Sequence, residues 1–150
     1  MWKKNAPEDS IFFRPCSIAS EDETIPEQEN DNVEANISQQ LFFAYQTVWQ
    51  RRLMLRYGNE ITLLDATYKT TRYELPLFFL VVKTNVNYAV VGVFVIQNET
   101  TADIIEALQL FQKWNPAWNP KYFMTDFCQE EISSMFKGKE NSLRPSFFIE

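Results

Sequence analysis

Residues 61–97 read ITLLDATYKTTRYELPLFFLVVKTNVNYAVVGVFVIQ. Three runs inside this stretch, 61–70, 76–85 and 88–97, are rich in Val, Ile, Thr, Phe and Tyr, the residues that suit a pleated, half-buried surface. Turn-forming segments separate them, among them TNVN at 84–87, where Asn and Thr can bond their own backbone. The spacing predicts three consecutive antiparallel strands. One carboxylate, Asp65, interrupts the first run.

On the C-terminal side the period changes. Thr100 with Asp103 three residues on matches a capping box. Ile104, Leu108 and Phe111 then recur on one helical face, and Asn115-Pro116 ends the helix because proline disfavours helical backbone in the residue before it. A short apolar strand, Tyr122 to Thr125, runs into Asp126, and a second helical segment is predicted over residues 127–136.

On the N-terminal side, Ser38 can cap a helix with Ile37 and Phe42 as a hydrophobic staple. Leu41, Tyr45, Val48, Trp49 and Leu53 repeat at helical spacing up to a stop at Gly58, which predicts an amphipathic helix of about five turns. Its basic cluster, Arg51, Arg52 and Arg56, can touch phosphate, although a solvated polar face is the plainer reading. From Ser17 to Asn36 the chain is mostly Glu, Asp, Asn, Gln and Ser, too polar to offset ordering entropy by burial, and reads as a disordered acidic tether. The preceding IFFRP, residues 11–15, suits either a short strand or a loose apolar patch. The expected order is helix, three strands, helix, strand, helix: an α/β mixed sheet with packed helices. The chain divides into an acidic leader (1–37), a partial domain (38–136) and an irregular tail (137–150).

Composition narrows the chemistry. The 150 residues allow one domain. The net charge of −6 speaks against holding nucleic acid by global positive charge. It resides in residues 1–37, with 9 acidic and 3 basic side chains, while residues 38–150 balance 11 against 11. There is no His, which removes Ser/His/Asp and Cys/His nucleophile pairs, a histidine proton shuttle and mixed Cys/His zinc sites. Two cysteines, Cys16 and Cys128, are too few for a disulfide scaffold, and no apolar run is long enough to span a bilayer. A reducing, intracellular setting with no membrane partner is expected.

Asp65 reads either as a strand-end carboxylate facing solvent or paired with Lys69 or Arg72, or as a metal ligand. Asp126 reads either as a helix N-cap, with Gln129 completing a capping box, or as a second ligand. Topology gives the pair its interest, because a first strand and the strand after a crossover helix can lie side by side. Both carboxylates would then meet at one end of the sheet, where two hard oxygen donors suit Mg²⁺ or Mn²⁺ and metal-assisted phosphodiester chemistry needs no histidine base.

The stretch from YGNEITLLDATYKT through LPLFFLV, VGVFV and the helix after it, followed by KYFMTD, resembles the transposase domain of Mutator-like elements (MULE), in the lineage that often carries a SWIM zinc finger. The resemblance spans about residues 38–135, with IFFRP (11–15) a candidate extension of it. It implies an RNase H-like core and a DDE triad of carboxylates that holds two divalent ions for DNA strand cleavage and transfer, in a nuclear protein. By position Asp65 matches the first carboxylate and Asp126 the second. The third, a downstream Glu, has no counterpart: Glu130 and Glu131 follow Asp126 too closely, and Glu140 and Glu150 lie in an unmatched tail. Without His, the family's Cys/His elements and any SWIM finger are missing as well.

These departures set the expected function. The chain reads as a truncated, transposase-derived domain with Asp65 and Asp126 as vestigial Mg²⁺ or Mn²⁺ ligands and little or no catalysis of its own, so whether it is an enzyme stays open. Two alternatives stand beside this: a non-catalytic protein or nucleic-acid interaction module, and the N-terminal fragment of an active DDE nuclease. Weak DNA binding is expected, since phosphate contact dominates such affinity. A sheet missing its last strand and helix would expose an edge and an apolar face, favouring self-association.

Overall fold

The computed structural model describes residues 8–17, 39–68 and 72–126. In chain order these form Ser10–Arg14 (β1), Phe42–Gln46 (β2), Val48–Tyr57 (α1), Ile61–Thr67 (β3), Leu77–Lys83 (β4), Tyr88–Ile96 (β5), Thr101–Trp114 (α2) and Tyr122–Met124 (β6). The strands make one six-stranded sheet in the order β1-β2-β5-β4-β3-β6. β3, β4 and β5 pair antiparallel, as their alternation predicts. β6 returns after α2 to lie parallel to β3, so the chain forms the expected mixed α/β sheet. The helical segment predicted over 127–136 lies outside the described residues. No helix among those described is long and apolar enough to cross a membrane.

The helix predicted from Ser38 is corrected by the structure. Phe42, Ala44 and Gln46 are buried while Phe43 and Tyr45 are half-buried, a period of two. The residues that suggested helical spacing there, Leu41 and Tyr45, fit a strand equally well, and pairing with β1 on one side and β5 on the other decides the matter. The helix starts only after Thr47, where a full capping box operates: the Thr47 side chain accepts from Gln50 N at 3.1 Å and the Gln50 side chain accepts from Thr47 N at 2.9 Å. Met54 sets the buried face of α1, so Trp49, expected inward, is 65% exposed. β1 also places Ser10–Arg14 in the sheet, inside the stretch assigned to the leader.

Both helices pack on one face of the sheet. α2 buries Ile104, Ala107, Leu108 and Phe111, and Phe111 meets Phe94 at 6.1 Å between ring centres, while Phe94 stacks on Phe78 at 4.8 Å. Gly92 leaves room for that contact: a Cβ there would lie 2.5 Å from the Phe111 ring. Beside it the ladder slips. Leu80 pairs with Gly92 but Val81 pairs with Val90, so Val91 is the extra residue of a β-bulge. Its freed carbonyl accepts from the buried Gln46 side chain at 2.9 Å, and Gln46 in turn accepts from Asn115 at 2.8 Å. This polar bridge satisfies the bulge and ties the end of α2 to β2.

The opposite face carries the other half of each strand: Phe43 and Tyr45, Val93 and Val95, Phe79 and Val81, Leu63, Met124, all half-buried. No described helix packs on it, and Phe13 and Tyr88 on that side are each 61% exposed.

Candidate site at the ends of strands β3 and β6

β3 is a buried-type strand on its helix side, through Thr62 and Leu64. The alternation therefore directs Leu63 and Asp65 to the open face. Asp65 costs little there because it is exposed, which resolves the desolvation problem posed by a carboxylate in an apolar run.

β6 is anchored at its start. Trp118 in the preceding loop is fully buried, donating from Nε1 to Thr62 Oγ1 at 3.1 Å, and Thr62 donates to Gly58 O at 2.8 Å. Lys121 N and Tyr122 N then bond Asn59 O and Glu60 O. The parallel ladder that follows pairs Ile61 with Tyr122, Thr62 with Phe123 and Leu63 with Met124. The ladder stops there, two residues before Asp65 on β3 and two before Asp126. β3 and the strand that leads to Asp126 are thus parallel neighbours in the sheet. Both carboxylates line one open cavity of about 430 Å³, floored by Leu63, Val81, Tyr88 and Met124. Asp126, like Asp65, is exposed. Gln129, its proposed capping partner, lies outside the described residues.

Tyr68, three residues beyond Asp65, belongs to the same end of the sheet and was not anticipated. Its hydroxyl donates to Glu99, which lies between β5 and α2. Hydrogen bonding to Glu99 comes first in pushing the Tyr68 phenol up to about 12, with burial, the Glu99 charge and the Asp126 charge adding to it. Glu99 and Asp126 thus both act on Tyr68. No sequence pattern could have paired Tyr68 with Glu99, since the link exists only once β5 delivers Glu99 to this end.

Two oxygen donors at one strand end suit a hard divalent ion that keeps most of its water, as Mg²⁺ does when held by one or two carboxylates. Among the described residues no group of three or more His, Cys, Asp or Glu side chains is placed to hold a metal ion.

The three arginines have different surroundings. Arg51 turns inward, donating from Nη2 to Ser10 Oγ. Arg52 and Arg56 are exposed, with Arg56 lying 5.4 Å over the Tyr57 ring. They flank exposed Trp49 on a helix, VWQRRLMLRY, that has no acidic residue. This outward face is apolar and cationic together, which sequence periodicity concealed by assigning Trp49 to the core.

No curated protein and no solved structure matches the chain. The family model described as "Zinc finger SWIM domain-containing protein 1/3, RNaseH-like domain" matches residues 23–138, a span that contains β2 to β6 and both helices but begins after β1. The antiparallel triplet, crossover helix and parallel fourth strand are the arrangement expected of such a fold. The chain therefore belongs to the RNaseH-like domain family of zinc finger SWIM domain-containing proteins 1 and 3.

Proposed function

We propose that this domain derives from a Mutator-type DDE transposase and keeps Asp65 and Asp126 as a two-carboxylate site for Mg²⁺ or Mn²⁺, without strand cleavage of its own. The observation that supports the reading is that β3 and β6 are parallel neighbours, with Leu63 opposite Met124, and that Asp65 and Asp126 both line the cavity beyond that pair. A bound ion there would supply charge neutralisation to a phosphate group. Two-metal strand cleavage needs a fuller cage of ligands, and the described residues offer no third convergent carboxylate. In Mn²⁺, the purified chain should not nick supercoiled DNA above an Asp65→Ala control. Asp65-dependent nicking would overturn the reading.

A second reading has its own support. The exposed Trp49, Arg52 and Arg56 on acid-free α1 suit a non-catalytic role in which an anionic partner docks on this helix. Aromatic and arginine side chains dominate such contacts.

A further inference from the structure

β1 makes more specific contacts than an edge strand needs. Its five residues pair with β2 from Ser10 opposite Gln46 to Arg14 opposite Phe42. Beyond the ladder, the side chains of Asp9, Ser10, Phe12 and Arg14 are each engaged. Asp9 accepts from the Tyr45 hydroxyl at 2.8 Å and from Val48 N, at the start of α1, at 2.9 Å. Ser10 accepts from Arg51. Phe12 packs on Phe42 with ring centres 5.0 Å apart. Arg14 forms a bidentate pair with Glu106 of α2 at 2.6 and 3.0 Å, donates from Nε to Gln40 O at 3.1 Å and lies 5.5 Å over the Phe42 ring. Planar two-point recognition of this kind is the geometry by which arginine confers specificity.

Two further facts set this strand apart. The family match begins at residue 23, so β1 lies outside it. The connection from β1 to β2 runs from residue 15 to residue 41, although Arg14 and Phe42 are direct partners that a hairpin of roughly two to five residues would join. The seating of β1 against β2 therefore rests on the contacts of residues 9–14 and not on a tight turn.

We propose that the β2 edge, with Glu106 and Arg51 at its flanks, is an acceptor groove for an extended segment with an aromatic residue two positions before an arginine, and that a second copy of this chain can supply that segment. Residues 9–14 fill the groove from within one chain. The same segment of another chain meets identical partners, so reciprocal exchange gives a closed two-fold dimer at the cost of no new contact.

Charge reversal in the full-length chain tests this. R14E sets a carboxylate against Glu106, and E106R sets two guanidinium groups together, so each variant opposes its own strand. Mixed, each strand finds a matched groove in the other chain. An equimolar mixture should show a mass average by light scattering well above either variant alone, and the double variant should behave as the parent chain. A fluorescein-labelled peptide of residues 9–15 should bind the R14E chain about tenfold more tightly than the E106R chain. Circular dichroism verifies that each variant is folded, which the partly exposed position of the pair, at 28% and 44%, favours. No mass rise together with no peptide binding to R14E would refute the groove. Peptide binding without a mass rise would refute a second copy as its occupant.

Discussion

Asp65, within β3, and Asp126, two residues after β6, line one cavity beyond the point where the two parallel strands pair Leu63 with Met124. They are far apart in sequence and arrive together because α2 carries the chain from β5 across the helix side of the sheet to the far edge of β3. Just past the ends of β3 and β5, Tyr68 donates to Glu99, and the Asp126 charge also acts on Tyr68.

The Tyr68 phenol gives this end a pH signature. Free tyrosine titrates near 10.0, and Glu99 first, with Asp126 as a smaller cause, pushes Tyr68 up to about 12. A group whose folded pKa is raised contributes stability that is fully present below the unfolded value and is lost as pH rises through the folded one. The Tyr68–Glu99 contribution should therefore persist to about pH 10 and fade between 10 and 12. Phenolate absorbance should show one tyrosine titrating late, and Glu99→Gln should move it back toward 10. An unchanged late tyrosine in Glu99→Gln would contradict the assignment.

Gly92→Ala tests the packing of α2 on the bulged strand. The new Cβ would lie 2.5 Å from the ring of the fully buried Phe111, which has no free space to yield. Overpacking of this kind costs about 1–3 kcal/mol, and chemical denaturation should report a loss in that range. A neutral result would show that Phe111 can shift without disturbing Phe94 and Trp114.

Trp49→Ala separates an exposed indole from a core one. Truncating a buried Trp costs about 3–5 kcal/mol, whereas a surface substitution stays within about 0.5 kcal/mol. With Trp49 at 65% exposure, the small value is expected from denaturant melts. If α1 is a docking face, R52E combined with R56E should abolish capture of an anionic partner while leaving the melt unchanged. A loss above about 2 kcal/mol for Trp49→Ala would place the indole in the core after all.

Much of this architecture is legible in the sequence because its signals are local. The β3–β4–β5 triplet shows in β-branched and aromatic runs broken by TNVN, and α2 shows in Thr100–Asp103 and the Asn115-Pro116 stop. The adjacency of β3 and β6 follows from the order of elements. The start of α1 is ambiguous because FFAYQ alternates as a strand while Leu41 and Tyr45 also sit at helical spacing, and only the neighbours β1 and β5 decide. The Thr47–Gln50 capping box was the available local signal for the true start. The clasp between Arg14 and Glu106, like that between Tyr68 and Glu99, joins residues far apart in sequence and has no local signature.

The direct test of the acid pair is a Mn²⁺ titration of the full chain followed by NMR line broadening of backbone amides. If Asp65 and Asp126 share one ion, broadening should centre on residues 64–66 and 125–126 together, with a dissociation constant on the order of 0.1–1 mM, and either Asp65→Asn or Asp126→Asn alone should remove it from both stretches. Broadening confined to one stretch, or surviving at Asp126 in the Asp65→Asn chain, would contradict a shared site.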